Sequence, residues 1–114
     1  MKLPSEAELV RVFVGESDKH DGKPLYEAIV QKARAKELAG ATVLRGLMGF
    51  GASSRIHTAK ILRLSEDLPI VIEIVDRPDR IAEFLPELDT MVTEGLITIE
   101  KIRVLAYRAD EAIG

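Results

Sequence analysis

The segment that most restricts the fold is residues 68–75, LPIVIEIV, an apolar run whose only charge is Glu73. A strand with one wet face alternates apolar and polar residues. A strand that is apolar on both faces needs neighbours above, below and beside it. Residues 68–75 are therefore expected to form a central strand, the third of the fold. Residues 6–14, EAELVRVFV, alternate. Val10, Val12 and Val14 fall on one face and Leu9, Arg11 and Phe13 on the other, which predicts strand 1. Residues 42–50, TVLRGLMGF, read as strand 2, with Gly46 and Gly49 inside it where another backbone or a ligand comes close.

Two segments have helical period instead. Pro24 is suited to a first helical position, and Leu25, Ala28, Ile29 and Ala33 follow at helical spacing. This helix is expected to end near Leu38, with Gly40 as its stop. Asp76, Arg77 and Pro78 open a second helix. Its Ile81, Phe84, Leu85, Leu88, Met91 and Val92 fit the i, i+3, i+4, i+7 pattern, Pro86 predicts a kink, and Gly95 is the stop. Past it the alternation changes phase near Glu100 and Lys101, which divides the remainder into a connection over 96–101 and strand 4 over 102–107. Residues 15–23 and 52–58 read as polar loops, residues 59–64 as either a short strand or the rising limb of the second loop, and 108–114 as a frayed tail.

The order βαββαβ predicts an α+β fold of the ferredoxin-like, split-βαβ type. It is a single domain over residues 1–114 with a four-stranded antiparallel sheet and both helices on one face. The other sheet face, carrying Leu9 and Phe13, together with Leu47, would leave apolar surface in water, so an oligomer is expected. Composition narrows the function. With 46% apolar and 31% charged residues the chain is globular, and neither a membrane span of roughly 20 residues nor a secretion signal is visible, so a cytoplasmic location without membrane insertion is expected. There is no cysteine, which removes disulfides and thiolate metal sites. A net charge of −3 and 4% aromatic residues argue against nucleic-acid binding.

Catalytic groupings are sparse. The two histidines, His20 and His57, lie in separate loops, and Ser53 and Ser54 lack a nucleophile turn, so the chain is not expected to be an enzyme or to hold a metal. The chemistry that remains is the glycine-rich stretch 46–51, GLMGFG, whose bare amides suit an anion, with Arg45 and Arg55 close in sequence. The same glycines suit close packing equally well. Glu73 is expected to pair with Lys101 or Arg103 on a neighbouring strand.

Several separated motifs carry a family resemblance. Gly22-Lys23-Pro24-Leu25, Arg45-Gly46, Gly49-Phe50-Gly51, Ile56-His57, Leu64-Ser65, Asp67-Leu68-Pro69 and Ile72-Glu73-Ile74-Val75-Asp76 resemble the PII-like group known as domain of unknown function 190. More broadly, the chain from Leu9 to Tyr107 is similar to PII-type signalling proteins. The resemblance implies a homotrimer that binds a small effector between subunits, and an adenine nucleotide (ATP, ADP or AMP) is the effector expected. In that site the resemblance places Gly49, Phe50, Gly51 and Lys101, and the charge that phosphates need adds Arg45 and Arg103 as expected planar donors. It also implies a docking loop over about 52–67, with Ser53, Ser54, Arg55 and His57, for a target such as a membrane transporter or channel. In residues 94–101, EGLITIEK, two glycines and the aspartate of the PII phosphate-binding loop are replaced. The alternatives are a metal-linked trimer like the CutA proteins, which share the fold, and a purely structural or interaction protein.

Overall fold

The computed structural model describes residues 3–51 and 67–109 and the backbone of 57–58. In chain order the elements are β1 (Glu6–Gly15), β2 (Lys19–His20), β3 (Lys23–Pro24), α1 (Leu25–Ala35), β4 (Gly40–Arg45), β5 (Met48–Gly49), β6 (His57–Thr58), β7 (Pro69–Asp76), α2 (Pro78–Met91) and β8 (Leu96–Arg103). The main sheet has the order β4-β7-β1-β8, with every neighbouring pair antiparallel. This is the expected split-βαβ arrangement. Each helix connects two strands that have a third strand between them.

The register explains the core. Val10, Val12 and Val14 lie opposite Ile74, Ile72 and Ile70, and all six are buried. Against this face α1 places Leu25, Ala28, Ile29 and Ala33, and α2 places Ile81, Phe84, Leu88 and Met91. The helical spacing read from the sequence is thus the face each helix buries. Pro86 lies within α2, which continues through it to Met91. The helices are joined on the outside by Lys36 and Lys32, whose ammonium groups lie 3.0 and 3.6 Å from the Glu87 carboxylate. The hydrogen bond from Lys36 is the main reason that the Glu87 carboxyl titrates below its ordinary range. Among the described residues, no helix is long and apolar enough to cross a membrane.

Several expectations are corrected. The polar loop after β1 contains the small β2–β3 hairpin, turned by Asp21 and Gly22 at φ 52° and 82°. Strand 2 is not continuous. β4 ends at Arg45, the chain turns at Gly46 and Leu47, and β5 pairs with β6 in a separate small sheet. Leu47, 80% exposed, therefore belongs to this turn and not to the sheet face. Strand 4 starts at Leu96 and ends at Arg103, because Leu96 already pairs with Phe13. What the sequence offers as strand at 104–107 instead crosses the end of the sheet. The Val104 amide donates to the Ser5 carbonyl at 2.6 Å and the Tyr107 hydroxyl to the Ala39 carbonyl at 2.7 Å. The expectations for residues 59–64 and 110–114 lie outside the described residues.

Helix α1 also stops before Gly40. Glu37 adopts φ 60°, its amide donates to the Arg34 carbonyl, and the Leu38 amide donates to the Ala33 carbonyl at 3.0 Å. This is a Schellman ending in which a glutamate occupies the left-handed position that glycine takes at lower cost. Glu37→Gly is therefore expected to stabilise the fold by about 0.5–1 kcal/mol. Denaturant unfolding checks this; an unchanged or lower midpoint contradicts the assignment.

Candidate functional site

Beside the glycine-rich stretch lies a cleft of about 340 Å³, at the end of the sheet where β1 leaves and β7 enters. Three loops build it. From the first come Gly15 and Asp18, after β1. The second contributes Gly46, Met48, Gly49, Phe50 and Gly51, and the third Glu94 and Gly95, before β8. Phe13, Val14, Asp67, Pro69 and Val71 complete the lining.

Close packing accounts for most of its glycines. A Cβ on Gly46 would lie 2.8 Å from the Pro69 ring and force it to shift, and one on Gly49 would press on the same ring at 3.2 Å. The Gly46 amide also donates to the Pro69 carbonyl at 2.7 Å. A Cβ on Gly15 would meet the Asp67 carboxylate at 2.6 Å. A Cβ on Gly51 meets no described atom within 4 Å. The carboxylates are anchored locally: Asp18 accepts the Gly15 amide at 2.9 Å and Asp67 the Ser17 amide at 2.7 Å.

Of the residues singled out in the sequence, Gly49, Phe50 and Gly51 line this cleft together. Arg45 lies at the end of β4, where it pairs with Glu16. Lys101 and Arg103 lie elsewhere. With Glu6, Ala7, Glu8, Pro78 and Ile102 they line a second cleft of about 460 Å³. β8 starts beside the first cleft, at the Gly95 end, and ends beside the second, so within one chain the glycine segment and these cations are not brought together. Ser53, Ser54 and Arg55 lie outside the described residues, and His57 contributes backbone to β6. Sequence reasoning missed Asp18, Asp67 and Glu94. They come from separate loops with no mutual spacing to mark them.

The open face of the sheet carries a second charged group. Arg11 donates to Glu73 at 3.0 Å and to Glu100 at 2.5 Å, and these hydrogen bonds raise its pKa above the ordinary value, Glu73 contributing most. Glu73 is therefore paired across to β1 and not to Lys101 or Arg103 as expected, because β1 lies between β7 and β8. Around this cluster Phe13, Leu44 and Leu96 are 36%, 48% and 56% exposed. Among the described residues no group of three His, Cys, Asp or Glu side chains is placed to hold a metal.

Residues 7–104 match the family described as DUF190, an uncharacterised ACR. The chain belongs to this family. A UPF0166 protein of Aquifex aeolicus (strain VF5) is 37% identical over 97 residues, covering 85% of this chain and 91% of that protein. Among solved structures, CPII, a nitrogen regulatory PII-like protein from Thiomonas intermedia K12 solved with ADP, AMP and bicarbonate, superposes with a TM-score of 0.67. That match has 14% identity and covers 87% of this chain and 88% of that one. The periplasmic divalent cation tolerance protein CutA of Archaeoglobus fulgidus gives a TM-score of 0.54 at 12% identity, over 94% of this chain and 90% of that one. Two helices on a four-stranded antiparallel sheet are thus the PII-like form of the ferredoxin-like fold in this family member.

Proposed function

We propose that the protein is a cytoplasmic PII-like regulator, a homotrimer without catalytic activity. It binds an adenine nucleotide between subunits and signals to a partner, such as a membrane transporter, through residues 52–67. The observation that carries this reading is the cleft formed by Gly46, Met48, Gly49, Phe50 and Gly51 at the root of that segment. Its volume falls within the range of small-molecule sites, about 300–1,000 Å³. A PII-like protein of the same fold has been solved with ADP and AMP, which supports the choice of effector.

Lys101 and Arg103 lie away from this cleft within one chain, so in this reading a second copy supplies them, and the exposed Phe13, Leu44 and Leu96 support assembly. Light scattering on the full chain is expected to give the mass of three 12.6 kDa subunits, and one subunit at micromolar concentration overturns the trimer. ATP, ADP and AMP are each expected to raise Tm. No shift with any of them at millimolar concentration, together with heat released on titration with a divalent metal, replaces the regulator by the CutA-like reading.

A further inference from the structure

Resting on the adenine-nucleotide reading, we propose that the cleft takes the base of the nucleotide and leaves its phosphates outside. The charge of the walls decides the orientation. Asp18, Asp67 and Glu94 are three carboxylates, and no lysine or arginine is among the described residues that line the cleft. A phosphate chain placed there meets the like charge of three lining carboxylates, in a concave site where field lines are concentrated.

The glycines do not call for an anion either. Gly46 and Gly49 are accounted for by the Pro69 ring, Gly15 by Asp67, and Gly95 by the Phe13 carbonyl. What the cleft offers is apolar surface together with carboxylate acceptors. Phe50, 71% exposed, supplies a stacking face, and Phe13, Met48, Pro69 and Val71 supply the rest. Each carboxylate has about four acceptor positions. Asp18 and Asp67 have each spent one on a backbone amide, so acceptor capacity remains for the exocyclic amino group of an adenine. An aminopurine matches this set, and a phosphate does not. The phosphates then point out of the cleft, where only a second copy can bring Lys101 and Arg103 to them, since in the same chain these line the far cleft.

Calorimetric titration of the full chain with adenosine, AMP, ADP, ATP and inosine tests the orientation. Adenosine is expected to bind measurably, and inosine, which lacks the amino group, at least about tenfold more weakly. Phe50→Ala is expected to weaken adenosine and ATP by the same factor, about tenfold, because the lost contact is to the base in both. Glu94→Gln discriminates most sharply. With the base in the cleft, the ratio of ATP to adenosine affinity stays within about twofold of the parent protein. With phosphates in the cleft, removing a carboxylate tightens ATP several-fold while adenosine is unaffected. That result, or ATP binding with adenosine silent, overturns the orientation and leaves the nucleotide reading standing. If none of the five compounds binds, both fall.

Discussion

Asp76→Ala is expected to destabilise the protein by about 3–4 kcal/mol, with a fall in Tm on the order of 15 °C. Asp76 is 1% exposed, the one charged side chain among the buried described residues, yet it pairs with no cation among the described residues. It is held by backbone. One oxygen accepts the Ala39 amide at 2.9 Å and the other the Arg77 amide at 2.6 Å. An alanine there strands two donors, and hydrogen bonds to a charged acceptor are worth roughly 1.5–3 kcal/mol each. Ala39 and Arg77 are themselves half-buried, so water reaches them in part and the lower end of that range applies to each.

Asparagine separates the two bonds. Its carbonyl oxygen keeps one amide while its own NH₂ faces the other, so Asp76→Asn is expected to cost about half as much. Equal losses for the two variants would mean that the carboxylate charge, and not the pair of bonds, holds the site. Unfolding in urea at one fixed protein concentration measures both, because assembly would otherwise enter the comparison.

The consequence extends past stability. Ala39 stands between the end of α1 and the start of β4, with its amide on Asp76 and its carbonyl on Tyr107. Fixing this residue fixes where β4 begins against β7, with Gly40 opposite Val75 and Arg45 opposite Ile70. β4 in turn delivers Gly46 to Pro69 at the cleft. A buried carboxylate at one end of the sheet therefore sets the geometry of the glycine segment at the other.

Elements buried on a whole face were legible from residue order alone. The alternation of Val10, Val12 and Val14 and the spacing of Ile81, Phe84 and Leu88 are burial patterns, and burial is what periodicity reports. β8 escaped because it is an edge strand. Ile99 on its helix side is 45% exposed and Leu96 on the other side 56%, so neither face has a clear polarity to read. The β2–β3 hairpin is too short for any period, although Asp21-Gly22 is a hairpin turn signal in its own right. The end of α1 was misplaced because a glutamate occupies the position where glycine is the expected marker. In the cleft the glycine segment was visible in the sequence. The carboxylates facing it were not, since only the fold brings Asp18, Asp67 and Glu94 to one place.

Gly95→Ala is the other change with a large expected effect, about 3 kcal/mol, and it acts on fold and cleft together. Gly95 has φ 152°, a backbone conformation that side chains rarely adopt, and a Cβ built on it lies 2.5 Å from the Phe13 carbonyl oxygen. The oxygen belongs to β1, so the clash is relieved only by moving Gly95 or the end of a central strand. Val14 and Val92 stand 3.2 Å from the same point and close the other directions. Leu96, the next residue, begins the β1–β8 pairing opposite Phe13, and moving Gly95 therefore opens that pairing from its first rung. Gly40→Ala is the control. No described atom lies within 4 Å of its added methyl, and the expected change is within about 0.5 kcal/mol. If the two variants unfold at the same urea concentration, the close approach at Gly95 is not what holds the start of β8. If Gly95→Ala unfolds early and hydrogen exchange rises first at residues 96–98, the strand opens from the cleft end, and the cleft wall and the edge strand are one mechanical unit.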